Sequence, residues 1–504
     1  MSLAVVYSRA NIGIDAPLIR VEVHLSNGLP GFSIVGMPET AVKESKERVR
    51  SALLNTNLDF PDKKITVNLA PADLPKSGGR YDLAIATGIL VASGQLPGEK
   101  LTGLELLGEL ALGGEVRGIV AVIPAVLSAS QAARACIVPS ENADEAGMTG
   151  CANIWSASHL LEVVAFLSGK TELARVKQSV IEKLNHDMDM SDVVGQHVAL
   201  RAVKVAAAGG HNVLMTGPPG TGKTMLAMRM RTILPELNKQ QALEIASVRS
   251  IAGTPLNTKT WKLPPFRAPH HTASAVAMVG GGSALKVGEI TMAHNGVLFL
   301  DELPEFNPKV LDVLREPMES GEIAISRANY QVILPARFQM IAAMNPCPCG
   351  FQGDPQKACR CTAEQVRKYQ TRISGPLLDR IDIYIQIPRL SREDSEQLLF
   401  KEKVSGERSD DVRSQVSKAR QVQFKRAGKC NAELNQREIR EVCRLKQEDE
   451  RYLKSAVQQL HLSIRSFYRI LKMARTVADL DSARDIGRVH LQEAMGYRCQ
   501  GEMK

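Results

Sequence analysis

Apolar and polar residues alternate over Leu18-Ile-Arg-Val-Glu-Val-His-Leu25, the period-two pattern of a half-buried strand. Lys64-Ile-Thr-Val-Asn-Leu69 predicts a second strand, and Glu39 to Leu54 carries helical spacing. Gly88 to Ala92 and Ile119 to Ala133 are apolar runs that fit a buried helix or a buried strand equally. Residues 1 to about 165 therefore read as a mixed α/β domain. Residues 166–190 are polar and charged, ending in His186-Asp-Met-Asp-Met190, and predict an interdomain linker. Beyond them, Asn212 to Thr216, Gly296 to Leu300 and Gln339 to Met344 are short apolar runs of the kind a buried strand requires. Helices are predicted over Met225 to Ile233 and Lys309 to Glu319, and a hairpin over Glu322 to Leu334 with Arg327-Ala-Asn at its turn. Past Ser391 the pattern is helical and charged. Leu462 to Arg475 reads as an amphipathic helix with Ser463 as its N-cap. The chain divides on this reading into 1–165, a linker over 166–190, an α/β core over 191–390 and a helical domain over 391–504.

Composition narrows this picture a little. A chain of 504 residues has room for two to four domains. No run approaches the roughly 18 apolar residues of a membrane span. The first residues lack a basic segment followed by a long apolar core, so no export signal is visible. Nine cysteines, an odd number, suit a reducing compartment better than a disulfide framework. A cytoplasmic protein with no membrane partner is expected. The net charge of +9 permits a polyanionic partner without demanding one. From Ser391 onward there are 24 Lys+Arg against 18 Asp+Glu, so most of the excess is C-terminal.

The chemistry is concentrated at Gly217-Pro218-Pro219-Gly220-Thr221-Gly222-Lys223-Thr224. This fits G-x-x-x-x-G-K-[ST], between a predicted strand and a predicted helix, as a phosphate-binding loop requires. Its glycines let backbone N–H groups turn toward a phosphate chain at a helix N-terminus. Lys223 would reach the β- and γ-phosphates of ATP, and Thr224 would ligate Mg²⁺. Asp301 and Glu302 follow the apolar run Gly296 to Leu300 and complete the pattern. Asp301 would hold the Mg²⁺ shell, and Glu302 would orient the attacking water. The alternatives, a chance glycine-rich turn and a chance acidic strand end, become weak once the two motifs occur together. An Mg-ATP hydrolase is expected.

Several other features are less specific. Cys347-Pro-Cys349 and Cys359-Arg-Cys361 lie in a Gly/Pro-rich stretch and could close a tetrahedral thiolate site for Zn²⁺. The C-x-C spacing is tighter than the usual one, and free or redox-active thiols are the alternative. Val279-Gly-Gly-Gly-Ser-Ala-Leu-Lys286 could present Lys286 at a flexible tip. His270, His271 and His294 have no carboxylate or cysteine at ligand spacing and are read as packing and capping residues.

Family resemblances add roles to these residues. Val35-Gly-Met-Pro38, Val42-Lys-Glu-Ser45, Val67-Asn-Leu-Ala-Pro-Ala-Asp73 and Leu107-Gly-Glu-Leu110 resemble the protease domain of the Lon family. That implies its α+β fold, the ribosomal S5 domain 2-like fold, for the first domain. The Lon chemistry does not carry over: Gly79-Arg80-Tyr81-Asp82 stands where the serine would be, and Val122-Ile123-Pro124 where the lysine would be. Lys76 and Ser77 lie nearby but displaced. Asp192-Val-Val-Gly-Gln196 resembles the AAA+ segment beside the adenine, which points to Val193, Val194 and Gln196. Without the resemblance, Asp192 is simply a helix cap. Asn345 matches the AAA+ polar sensor of the γ-phosphate. Glu316 to Arg327 is similar to a segment of the MCM helicases whose hairpin carries a basic residue, here Arg327, against a DNA backbone. Ser374-Gly-Pro-Leu-Leu-Asp-Arg380-Ile-Asp382 resembles the phrase that supplies an arginine finger, here Arg380, to a neighbouring subunit. Arg465 matches the arginine of AAA+ lid domains that senses the γ-phosphate, with Arg469 as runner-up.

The order of parts resembles the ComM/YifB family of magnesium-chelatase-like AAA+ ATPases over essentially the whole chain. The resemblance implies a three-layer αβα AAA+ core, a helical lid and a homohexameric ring that hydrolyses ATP to move on single-stranded and branched DNA. Its competence-linked members imply branch migration in recombination during natural transformation, with other recombination proteins as further partners. A metal-chelatase motor subunit is the alternative, and an ATP-dependent protease a remote one.

Overall fold

The computed structural model describes residues 3–178, 188–257, 259–282, 286–326, 331–391, 406–460 and 462–502, the last four by their backbone alone. Its contacts divide the chain into two units. The first comprises Met1–Lys183, Lys239–Trp261 and Ser326–Leu334, and the second comprises Leu184–Asn238, Lys262–Ile325 and Pro335–Lys504.

The first unit is built on an eight-stranded mixed sheet. Its central strands Leu3–Arg9, Leu18–Ser26 and Lys64–Ala70 pair antiparallel, and each buries alternate residues, as their period-two patterns require. The two ambiguous apolar runs are both helical, Asp82–Ala92 and Val122–Gln131. Asp82–Ala92 is buried all round, which is why its apolar run showed no clear period. Within it Gly88 lets the helix seat on the sheet: a Cβ there would lie 2.5 Å from a Val23 methyl. The stretch read as a linker contains the end of the helix Leu160–Leu167 and the strand Ala174–Arg175, which forms one edge of the sheet. Residues 179–187 lie outside the described residues. The helix Lys239–Ile251, which falls within the stretch 191–390 read as one core, packs in the first unit, where Ala121 N–H donates to Ser250 O at 2.9 Å.

The positions at which a Lon-type dyad would stand hold no nucleophile and base. Arg80 is buried and donates from Nη2 to the carbonyls of Val120 and Ala121 at 3.1 and 3.3 Å. It thus spans from the would-be serine position to the would-be lysine position. Lys76 is fully buried and donates to the Pro71 carbonyl.

The second unit carries a five-stranded parallel sheet in the order Phe266–Arg267, Gly296–Leu300, Phe338–Met344, Val213–Thr216 and Ile383–Gln386. The apolar runs noted in the sequence are its inner strands, buried on both faces as parallel strands are. The helices His197–Gly209 and Lys223–Ile233 share one apolar core with this sheet. So do the C-terminal helices Ser409–Ala427, Gln436–Val442, Gln447–Gln459, Ile464–Leu480 and Arg488–Glu502. The chain is therefore mixed α/β with a parallel nucleotide-type sheet and a helical C-terminal region.

Three local expectations change. The helix expected over Lys309 to Glu319 is two short ones, Pro308–Asp312 and Pro317–Ser320. Pro317 has no N–H to give to a carbonyl four residues back, so the first helix stops before it. Asp192 does not cap the helix that follows. It closes the turn Met190–Asp192 with Asp189 and pairs with Arg229 at 2.8 Å. The expected hairpin is present as strands Glu322–Ser326 and Gln331–Pro335, and its tip, including Arg327, lies outside the described residues.

Candidate active site

The phosphate loop leaves the C-terminal end of Val213–Thr216 and feeds directly into the helix Lys223–Ile233. Gly217 sits where no other residue fits, since a Cβ would lie 2.3 Å from the Ile387 carbonyl oxygen. Gly220 and Gly222 take φ of +77° and +83°, left-handed conformations that let the loop curl. Thr221 Oγ1 donates to the Pro218 carbonyl at 3.0 Å. Pro219 lines the outside of the turn against Gly350, whose Cβ would lie 2.7 Å from the Pro219 ring. Gln196, buried, donates from Nε2 to the Thr221 carbonyl at 2.7 Å and so braces the loop from behind. Val193 and Val194 are buried beside it in sequence.

Lys223 is folded into its own loop. Its ammonium donates to the carbonyls of Gly217 at 2.7 Å and Pro218 at 2.9 Å, and to Asn345 Oδ1 at 3.1 Å. Burial lowers its pKa, and the charges of Asp301 and Glu302 oppose that shift. Thr224 Oγ1 donates to Asp301 Oδ2 at 2.6 Å, the two oxygens that an Mg²⁺ shell would use. Asn345 follows the strand Phe338–Met344, so the polar sensor expected there meets Lys223 directly. The structure thus brings Lys223, Thr224, Asp301 and Asn345 into one cluster at the C-terminal edge of the parallel sheet, where such sheets bind ligands.

Glu302 is held differently. Its backbone is left-handed, at φ +54°, and its carboxylate lies 3.3 Å from His271 Nδ1. The His271 ring lies tilted against that of His270, centroids 4.1 Å apart, and meets Phe306 edge-on. Sequence reasoning assigned His271 to packing. The signal that locates it is topological: it follows Phe266–Arg267, the strand paired with the one that ends in Asp301 and Glu302. His294 accepts from the Arg337 N–H at 3.1 Å and His270 meets Thr272 at 2.9 Å, so both serve local structure.

The two candidate arginines lie toward the other end of the sheet, Arg380 before its last strand and Arg465 on the helix Ile464–Leu480. Arg380 and Asp382 lie just before Ile383–Gln386, and Asp382 N–H donates to the carbonyl of Asn212, the residue before the loop strand. Roughly 13 Å of strand separates that edge from the loop. Arg380 pairs with Glu319 at 2.5 Å and donates to the Pro376 carbonyl. Arg465, 76 % exposed, pairs with Asp379 at 3.3 Å. Ser463 caps its helix as expected, accepting from the Ser466 N–H at 3.1 Å. Arg469 pairs with Asp382, which also meets His211 at 3.3 Å. Burial alone would push the Asp382 carboxyl up, but Arg469 and His211 outweigh it and hold it far below the usual carboxylate range.

Cys347, Cys349, Cys359 and Cys361 converge, with all four sulfurs within 4.8 Å of one another. N–H groups of Arg360 and Phe351 pull the Cys349 thiol down to about 6. Lys286 opens the strand Lys286–Val287, paired with Gly280–Gly281, and is exposed. Among the described residues, no helix is long and apolar enough to cross a membrane.

Comparison with known proteins agrees with this geometry. Three family models match along the chain: subunit ChlI of Mg-chelatase over residues 21–142; magnesium chelatase, subunit ChlI, over 189–395; and magnesium chelatase, subunit ChlI C-terminal, over 406–498. The chain is 51 % identical to the competence protein ComM of Haemophilus influenzae, covering 99 % of this chain and 98 % of that one. It is also 51 % identical to the uncharacterised protein YifB of Escherichia coli, over 99 % of this chain and 97 % of the relative. An uncharacterised protein of Mycobacterium tuberculosis is 39 % identical over 99 % of both. By identity along its full length, and by the order of its parts, the chain belongs to the ComM/YifB family of magnesium-chelatase-like AAA+ ATPases.

Proposed function

We propose that this protein is an Mg-ATP-driven DNA motor, a homohexameric ring that moves single-stranded and branched DNA during recombination in natural transformation. The observation that carries the ring is the placement of Arg380 and Arg465. Arg380 precedes the strand end opposite its own phosphate loop and Arg465, on its helix, pairs beside it with Asp379, so in this arrangement they serve a site on a neighbour. A guanidinium entering from a neighbour stabilises the charge that builds on the transferring phosphoryl group. Each site then has Lys223 on the β- and γ-phosphates, Thr224 and Asp301 on Mg²⁺, Asn345 at the γ-phosphate and Glu302 on the water. Gln196 braces the loop on the side of the base. The DNA part rests on full-length similarity to a protein named for competence. Lys286 and Arg327 are its backbone contacts, which act without reading sequence. Zn²⁺ on the four cysteines and a cytoplasmic location belong to the same reading.

The family models carry the name of magnesium chelatase, which favours a second reading: a motor subunit driving metal insertion with a separate porphyrin-binding partner. The test is the ATPase rate with and without single-stranded and branched DNA, over a range of salt, beside Glu302→Gln. Stimulation by DNA that weakens with salt and vanishes in the variant supports the motor. Hydrolysis unaffected by any DNA supports the chelatase reading instead.

A further inference from the structure

The cysteine cluster is built into the wall of the nucleotide loop. The sulfurs of Cys347 and Cys349 are 3.4 Å apart, and Cys359 Sγ lies 3.6 Å from each of them. Zn–S bonds of about 2.3 Å in a tetrahedron place sulfurs about 3.8 Å apart, so an outward shift of a few tenths of an ångström brings these three to the spacing of a loaded site. The N–H of Cys349 points at Cys361 Sγ and that of Cys361 at Cys359 Sγ, each at 3.4 Å, the donors that a thiolate set requires.

Three links tie the cluster to ATP chemistry. Cys347 follows two positions after Asn345, whose side chain holds Lys223. Gly350, at φ +84° inside the cysteine loop, abuts Pro219 so closely that a Cβ would stand 2.7 Å away. Asp354 in the same loop is held by Arg389 at 2.6 Å, and Arg389 lies two positions after Ile387, whose carbonyl covers Gly217. The nine residues between the cysteine pairs, 350–358, hold one large apolar side chain, Phe351, which is only half-buried. A metal would supply the core that this loop lacks.

We propose that Zn²⁺ bound by Cys347, Cys349, Cys359 and Cys361 holds Pro219 and Asn345 in their nucleotide-binding arrangement, so that metal occupancy and ATP affinity are coupled. The proposal rests on the ATPase and zinc readings above. Coupling is reciprocal: Mg-ATP must tighten the hold on zinc by the same factor by which zinc tightens the hold on ATP.

The test uses the full-length protein purified without chelator. Zinc per chain is measured, then its release to a chromogenic chelator is followed with and without a non-hydrolysable ATP analogue and Mg²⁺. One zinc per chain is expected, with affinity raised roughly fivefold or more by the nucleotide, within the usual range of coupling between sites. Nucleotide affinity should fall by the same factor on zinc removal and return on adding zinc back. Gly350→Ala keeps all four ligands and the zinc but should reduce the coupling, which separates the strut from general unfolding. Absence of bound zinc overturns the proposal. Zinc release indifferent to a nucleotide that demonstrably binds overturns the coupling alone. Zinc bound with no nucleotide binding overturns both the coupling and the ATPase reading.

Discussion

Glu302 is the residue whose chemistry and conformation disagree most visibly. The role proposed for it asks the carboxylate to face a water beside the γ-phosphate, yet in this structure His271 holds it at 3.3 Å on a left-handed backbone. Glu302→Gln should bind ATP normally and lower kcat about a hundredfold or more, the usual worth of a positioned base, which a single-turnover assay would read. His271→Ala should act in the opposite direction on the basal rate. A freed carboxylate should raise unstimulated hydrolysis by roughly two- to tenfold, matching a net hydrogen bond of about 1 kcal/mol. The ratio of DNA-stimulated to basal rate should then shrink. A His271→Ala enzyme with a lower basal rate and the same ratio would make the contact incidental.

The strand Ile383–Gln386 is anchored at its start by Asp382, which is nearly buried and bonded to Arg469, His211 and the Asn212 N–H. Its carboxyl pKa is depressed in the folded state, so its contribution is fully present above the ordinary value near 3.9 and is lost as pH falls below that. Asp382→Ala leaves Arg469 partly buried without its partner and should cost about 3 kcal/mol, seen as a lower thermal midpoint at neutral pH. The difference from the parent should narrow as pH is taken below about 4. Ser463→Ala, at the cap of Ile464–Leu480, should cost about 1 kcal/mol by comparison.

Elements are also where the sequence was most and least readable. The loop from Gly217 to Thr224 and the strands around it were legible because a buried parallel strand, a glycine turn and a helix start leave three distinct local patterns. Ser463 was legible because capping is a local bond. The bracing of the loop by Gln196 and the hold of His271 on Glu302 were not. Each joins residues 25 or more positions apart through sheet order, which no period along the chain records. Lys239–Ile251 shows the same limit on a larger scale: its helical character is local, but its membership of the first unit is decided by tertiary packing.

For the whole molecule, the decisive question is whether one chain can complete its own site. The second unit places Lys223, Thr224, Asp301 and Asn345 at one sheet edge and Arg380 with Arg465 at the other. On the proposed reading a neighbour supplies the arginines. Subunits carrying Lys223→Ala contribute a dead loop but intact arginines, while subunits carrying Arg380→Ala contribute an intact loop but no finger. Each variant alone should lose ATPase by a factor of about 10³ or more, the usual worth of an arginine finger or more. Mixed at equal amounts and allowed to exchange, they should regain activity at interfaces where an intact loop meets an intact arginine. In a random mixture about a quarter of the interfaces are of that kind, so recovery toward a quarter of the parental rate is the result expected if sites fire independently. Recovery far below that, with mixed assembly verified by mass, would mean that a live site works poorly between the two dead sites that must flank it in such a mixture. No recovery at all, with each variant still assembling with the parent, would place Arg380 in its own subunit's site and remove the physical argument for a ring.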